Sequence, residues 1–525
     1  MSSNVSITDI SEGMLDKKIL FIGLDGASKR IIDRMIAQKE LPAIERLIST
    51  GSYFHSAHSF KPCASPVIWT SMSTGKKPDK HGVKGFFDNT YSLTARRIWE
   101  IFDVLGFPVG VMGHFLTWPP QKVKDGFIIP NILALGNECY PEKYGFLWEL
   151  THDPENQKKI SIRRVLKYFG ACYRNGIKLS TFFEVVLGFI KKRLPFLENL
   201  DRFSFMSSIS MRTKFYRDLF IHLYRTFNPR YAYFHIHLID TYSHYYWKYL
   251  EPELYDNVPQ DEVRRYSQKI YNAYRNADKV IQDILDSVDP NTVVVIASDH
   301  GFRGVSKASN WYDRVTVRAQ KLVDLDPKGD MYASIIIPTI HVRVRNATPG
   351  KNDYYKSFLQ SIEILEDNKS LFTIEEIEPG DFLLEFNREI EGISGKHIKV
   401  NGTSIPAEDL LMKVQDYTAG VHDEKDGILI LNGPGVPQNG YQKNTVHTYD
   451  IIPTILALCN MPIGRDMDGE VITAGIENDF IQKYPVHYID SYEELGVKGS
   501  DEGKRDFNEE EAKHLKEQLK NLGYM

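Results

Sequence analysis

Apolar positions along this chain follow two rhythms, and their alternation sets the expected architecture. The densest run is TVVVIA at Thr292 to Ala297, which continues into Ser298, Asp299, His300, Gly301 and Phe302. A short β-branched run without polar alternation fits a strand covered on both faces, as at the centre of a parallel sheet. KILFIG at Lys18 to Gly23, PVGVMG at Pro108 to Gly113, Gly126 to Pro130, RYAYFHIHLI at Arg230 to Ile239 and GILIL at Gly427 to Leu431 read the same way. Between them lie segments with helical spacing: Lys29 to Ser49 with a break near Leu41-Pro42, Ile98 to Leu105, Asp261 to Val288, and HTYDIIPTILAL at His447 to Leu458. Strands alternating with helices predict an α/β protein with a mostly parallel sheet.

Two stretches break the rhythm. From Tyr140 to about Phe227 the chain is aromatic, basic and helical, and it includes LSTFFEVVLGFIKKRLPF at Leu179 to Phe196. Such an amphipathic piece is more often a packed helix than a membrane-surface element, and packing is the expectation here. After Phe302 the core pattern lapses until Gly420, with pieces at Ala333 to Ile337, His341 to Val344 and Asp381 to Phe386 that suggest a small mixed or antiparallel insertion. The predicted division is core at 18–139, helical insertion at 140–227, core at 228–302, cap insertion at 303–417, core at 418–475, and a tail at 476–525 that ends in a charged helix at Glu509 to Leu522. Both insertions are expected to overhang the site and choose the substrate.

Composition narrows the class. The 525 residues are 42% apolar and 25% charged, which is globular, and the formal net charge of -5 argues against a general nucleic-acid binder. Cys63, Cys139, Cys172 and Cys459 form no CxxC pair, so neither a disulfide framework nor a thiolate zinc site is indicated, and a reducing cytosol fits. The first residues lack the features of a signal peptide. The expected setting is cytoplasmic, and composition sets no oligomeric state.

The chemistry sits at the ends of the strands, where open α/β sheets place their ligands. Asp25 follows the first strand, Asp240 the RYAYFHIHLI run, with His244 four residues on, and Asp299-His300 the densest run; His422 precedes GILIL. An Asp followed by a His at the fourth position can converge on one cation when the chain turns into a helix. Three carboxylates and three imidazoles without thiolates form a mixed oxygen and nitrogen set, sufficient for two divalent cations. The imidazoles favour Zn, and a carboxylate-rich half-site accepts Mn. Ser65 precedes Pro66 at a helix start, a place that suits a simple N-cap, a phosphate contact or a nucleophile.

The order GLDG, Ser-Pro followed by TSMSTG and PDKHGV, Asp-x-x-x-His, SDHGF, then Gly-Val-His before GILILNGPG, resembles the alkaline phosphatase superfamily, in its type I phosphodiesterase and nucleotide pyrophosphatase branch. The resemblance implies a three-layer α/β/α core. It also implies hydrolysis of phosphodiester or pyrophosphate bonds through a phosphoseryl intermediate on Ser65. By motif position, Asp25, Ser65, Asp299 and His300 would hold one cation, and Asp240, His244 and His422 the other. The implied substrate is a small phosphoester, a nucleotide, nucleotide sugar or phospho-alcohol diester. A phosphomonoesterase, a phosphoryl transferase or mutase, and a non-catalytic metal-binding homologue are the alternatives.

Departures from the family pattern matter. Phe86 stands where these enzymes carry a phosphoryl-binding Asn, so Asn89 and Asn310 are the replacement candidates, each also explicable as a turn residue. No Arg is in register after Cys63 or Ser65, which argues against sulfatase chemistry. His81 is expected to order the loop after the Ser65 helix. His58, His235, His237 and His341 have no motif support and are expected to serve in packing or at the surface.

Overall fold

A computed structural model describes residues 7–58, 60, 63–151, 162–191, 204–495 and 507–522. The predicted central sheet is present. Its strands are β1 (Lys18–Leu24), β2 (Gly51–Ala57), β3 (Val109–Met112), β4 (Gly126–Ile129), β5 (Tyr231–Ile236) and β6 (Thr292–Ala297), joined by Gly427–Asn432 and Gly440–His447. From one edge to the other the order is Gly440–His447, β2, Gly427–Asn432, β6, β1, β5, β3, β4. Every pairing is parallel except that Gly427–Asn432 runs antiparallel to both β2 and β6. β1 is central, flanked in register by β5 (Ile22 opposite Phe234) and β6 (Ile22 opposite Ile296). Its neighbours cover both edges and helices cover both faces, so Ile19 to Leu24 are buried, as a run with no polar alternation requires.

Two expected elements change shape. The Asp261 to Val288 helix is interrupted, forming Gln260–Tyr266 and Lys269–Leu285. The Arg230 to Ile239 strand stops at Ile236, and a helix begins at Leu238 (Leu238–Leu250). Asp240 therefore lies in the first turn of a helix rather than at a strand tip, and His244 follows one turn later on the same face. The strands β2 and Gly440–His447, read from the sequence as neither, complete one side of the sheet. Gly440–His447 is an edge strand whose residues are mostly exposed, so it lacks the apolar signature of a buried one.

The segment at 140–227 contributes to the main core. Its last helix, Ser204–Phe227, buries Phe215, Leu219, Phe220 and Leu223 in the main core, and the Phe220 ring lies 5.0 Å from Phe234 of β5 and 6.1 Å from Phe127 of β4. Residues 192–196 of the amphipathic piece lie outside the described residues. The 303–417 segment differs, because Val317 to Leu411 contribute a second hydrophobic cluster around an antiparallel sheet that includes Met331–Ile336, Thr339–Val344, Phe372–Glu378 and Asp381–Phe386. Among the described residues no helix is long and apolar enough to cross a membrane.

Candidate active site

The carboxyl ends of β1 and β6, the start of the Leu238–Leu250 helix and a two-strand ribbon meet at one buried point. Asp25 follows β1, and Gly26 turns the chain at φ 68°. A Cβ at Gly26 would lie 2.6 Å from the Phe302 ring and 3.0 Å from Asp240 Cα, so both the turn and the close approach require glycine. Beyond β6, Gly301 begins the short strand β7 (Gly301–Arg303), which pairs antiparallel with Val421–Asp423 and sets His422 opposite Phe302. Gly301 stands in the ribbon opposite Asp423 rather than in a turn. It allows close passage of Asp426, whose carbonyl oxygen would lie 2.4 Å from an added Cβ.

The ribbon brings His422 onto His300, their rings stacked 3.5 Å apart. Phe302 packs against three imidazoles, at ring distances of 4.9 Å to His244, 5.4 Å to His300 and 5.4 Å to His422. Each of these histidines has its Nδ1–H engaged. His244 donates to Thr418 Oγ1 and the Gly420 carbonyl, His300 to the Gly301 carbonyl, and His422 to the Cys63 carbonyl at 2.9 Å. Such bonds fix the tautomer and turn the basic Nε2 inward, the arrangement of a metal-ligating imidazole.

The inward atoms form two groups. His244 Nε2, His422 Nε2 and Asp240 Oδ1 make a triangle with edges of 3.2, 3.4 and 3.6 Å. Two ligands about 2.1 Å from a tetrahedral Zn stand roughly 3.4 Å apart, so these edges match a cation site. The second group is Asp25, Asp299 and His300, with His300 Nε2 at 3.9 Å from Asp25 Oδ1 and 3.3 Å from Asp299 Oδ2. Asp25 Oδ1 and Asp299 Oδ2 are buried oxygens without a hydrogen-bond partner, which is costly unless a cation satisfies them. Asp240 Oδ1 lies 4.0 Å from His300 Nε2, so the two groups adjoin.

Electrostatics separate the carboxylates. Burial, then the charge of Asp240, pushes Asp25 well above the usual carboxylate range, and burial with Asp25 beside it does the same to Asp299. Burial would also raise Asp240, but the adjacent His244 and His422 outweigh it and hold Asp240 well below. Burial and the neighbouring His422 push His300 down. Two acids and an imidazole that resist charging alone make a site suited to divalent cations.

Ser65 opens the helix Ser65–Thr74, is fully buried, and has its Oγ 3.5 Å from His300 Nε2. His81 Nδ1 accepts from the Val83 N–H and its Nε2 contacts Ser71 Oγ at 3.0 Å, tying the following loop to this helix. The replacement candidates for the phosphoryl-binding Asn both make local hydrogen bonds. Asn89 Oδ1 caps a local turn by accepting from Tyr91 N–H, and the exposed Asn310 donates to the Tyr312 hydroxyl.

His235 and His237 do more than pack. His235 Nε2 and His237 Nδ1 contact the same oxygen, Asp25 Oδ2, at 3.1 and 2.8 Å, and the Tyr233 hydroxyl lies 2.6 Å from His235 Nδ1. They hold Asp25 so that its other oxygen faces His300. The available signal was the spacing of two from Tyr233 to His235, which directs both side chains from one face of β5, with His237 just past the end of that strand. His341 is fully buried in the cap, with Nε2 2.5 Å from Asp381 Oδ1.

The cap reaches the site: Ile335, Ile336, Ile337 and Tyr417 line a cavity of about 20 Å³ together with His244 and His422. It is clamped to the core by Arg343, whose Nε donates to both oxygens of Asp381 and whose Nη1 donates to Asp88 Oδ1 and the Phe87 carbonyl. Lys84 and Glu378 form a further ion pair across the same boundary.

The mostly parallel α/β scaffold carries two adjoining groups of candidate cation ligands beside a buried serine, equipment that suits a phosphoester hydrolase. The chain belongs to the type I phosphodiesterase / nucleotide pyrophosphatase family, whose sequence profile matches residues 19–101 and 148–418, more than half of its length. That match contains Asp25, Ser65, Asp240, His244, Asp299 and His300 and stops four residues short of His422. Murine ectonucleotide pyrophosphatase / phosphodiesterase 5 superposes with a TM-score of 0.45 in an inactive form in complex with AMP and 0.43 in a second structure. Each is 12% identical, and each comparison covers 89% of this chain and 100% of the other. No characterised protein sequence matches the chain.

Proposed function

We propose that this hydrolase cleaves a phosphodiester or pyrophosphate bond in a small molecule, with Ser65 as nucleophile. Asp25, Ser65, Asp299 and His300 would hold one divalent cation and Asp240, His244 and His422 the other. The single observation that carries the reading is the position of Ser65 Oγ, buried at a helix start and 3.5 Å from His300 Nε2, beside carboxylate oxygens that have no other partner. Bound there, two divalent cations supply Lewis acidity that lowers the pKa of a hydroxyl and disperses the negative charge on the phosphoryl and leaving oxygens. The two-histidine set suits Zn, and the two-carboxylate set accepts Mn as well.

Ser65 Oγ attacks phosphorus. A bond forms from Oγ to phosphorus, the bond to the leaving oxygen breaks, and a phosphoester remains on Ser65. Water then attacks that phosphorus and releases Oγ. Over the cycle one water is consumed, its hydroxyl ending on phosphorus and its proton on the leaving oxygen. His235 and His237 keep Asp25 oriented throughout, and the helix start favours the anionic phosphoryl group. The substrate is a nucleotide, nucleotide sugar or phospho-alcohol diester, as the family resemblance implies; the cavity flanked by Ile335 to Ile337 and Tyr417, about 20 Å³, is of a size for a water and not for a nucleotide portion. Four free cysteines agree with a cytoplasmic setting.

The test compares wild type with Ser65→Ala on an aryl phosphodiester with added Zn or Mn. Turnover should be lost while most bound metal remains, and acid-quenched wild type should carry a phosphoester adduct on the Ser65 peptide. Unchanged turnover in Ser65→Ala, or the adduct persisting there, rejects the assignment.

A further inference from the structure

Away from this site, the helical insertion exposes an apolar surface that a folded monomer would ordinarily bury. Seven large hydrophobic side chains are prominently exposed among the described residues, and four of them lie on two neighbouring helices: Tyr173 at 64%, Leu179 at 47%, Phe183 at 56% and Leu187 at 55%. Leu179, Phe183 and Leu187 are spaced four apart on Leu179–Lys191, so they form one stripe along its outer side. The opposite side is packed, with Thr181 and Phe182 buried and Phe182 edge-on to Phe169 at 5.1 Å. Packing therefore accounts for one face of this helix and leaves the stripe unexplained.

Beside the stripe is a polar cleft of about 300 Å³ between this helix, Ser204–Phe227 and Lys269–Leu285. Lys178, Lys214, Arg217 and Lys279 line it against two carboxylates, Glu184 and Asp283. Arg217 is paired with Asp218 and Asp283, and Lys214 with Glu184, whereas Lys178 and Lys279 form no ion pair among the described residues. Ser180, Thr181 and Thr213 add hydroxyls to the same cleft. Ser180 and Glu184 come from the same helix turns as Leu179 and Phe183, so the cationic cleft and the apolar stripe share one edge.

We propose that this face docks on an anionic phospholipid bilayer, with Phe183 and Leu187 entering the interface and the Lys178–Lys279 cleft receiving a lipid phosphate. The charge pattern selects this occupant: Lys178 and Lys279, without an ion pair among the described residues, and the nearby Ser180 and Ser210 hydroxyls suit a phosphate, while a stripe of leucine and phenylalanine suits acyl chains at the headgroup boundary. The arrangement is that of a helix lying on a membrane rather than crossing it, consistent with the absence of a spanning helix among the described residues.

The experiment sediments the full chain with phosphatidylcholine vesicles and with vesicles of equal parts phosphatidylcholine and phosphatidylglycerol. Binding to the anionic vesicles alone, weakening as salt rises, is expected. Phe183→Ser with Leu187→Ser should reduce partitioning by about tenfold or more, the scale of losing two apolar insertions. Lys178→Glu with Lys279→Glu should remove the preference for anionic lipid. All four positions are exposed, and circular dichroism with thermal melting checks that the variants are folded. Failure of the wild type to sediment with anionic vesicles overturns the proposal, as does equal binding by the Phe183/Leu187 variant. A wild-type oligomer that this variant dissociates, with vesicle binding unchanged, would assign the stripe to a contact between copies of the chain and also overturn it.

Discussion

Replacing Arg343 with methionine should release the cap from the core, and the structure sets the scale of the loss. The guanidinium makes two hydrogen bonds to Asp381, at 3.2 and 3.0 Å, and further ones to Asp88 and the Phe87 carbonyl, at 2.9 and 3.0 Å. Both carboxylates are 6% exposed, and the arginine side chain is 14% exposed. Methionine preserves much of the volume but leaves two buried carboxylates without their cation, a change that typically costs about 3–5 kcal/mol. Burial alone would raise Asp88 and Asp381, but Arg343 outweighs it and holds both below the ordinary carboxylate range. Folded-state values below unfolded ones mean that their contribution is complete above the unfolded carboxylate pKa of about 3.9 and fades as the pH falls below it. The deficit of Arg343→Met in urea denaturation should therefore be about 3–5 kcal/mol at pH 7 and shrink below pH 4. Hydrogen exchange should rise first in Lys84–Asp88 and in the Thr339–Val344 strand. A deficit under about 1 kcal/mol at pH 7, or one that grows in acid, would refute the clamp.

Two further substitutions probe the site's framework. Phe302→Leu removes the ring against which His244, His300 and His422 rest; metal affinity measured by chelator competition should fall about 10- to 100-fold, the usual cost of disturbing groups that orient ligands, and unaltered affinity would show that the imidazoles hold themselves. Gly26→Ala forces a left-handed alanine whose Cβ meets the Phe302 ring at 2.6 Å; a loss of about 2–5 kcal/mol in thermal or urea unfolding is expected, and a neutral result would contradict the tight turn between Asp25 and Asp240.

The amino-acid sequence alone determined the buried strands and the residues at their ends. Thr292 to Ala297 is apolar because β1 and Gly427–Asn432 flank it and helices cover it, so its run of β-branched residues is legible without a structure. Asp25, Asp240, Asp299 and His300 could be named because a carboxylate directly after a buried run is a local signal. Tertiary structure decided what no local signal carries. The edge strand Gly440–His447 is mostly exposed and has no apolar pattern, so only its pairing with β2 reveals it. His235 and His237 looked like packing residues because the carboxylate they hold lies more than two hundred positions away, and proximity between β1 and β5 alone joins them to Asp25. Arg343 and Asp88 meet across a boundary between two separate cores, a contact that depends on how the cap is seated. The stripe at Leu179, Phe183 and Leu187 shows the same limit. Amphipathic spacing predicts an apolar face, and only the packed structure shows which part of that face is left uncovered.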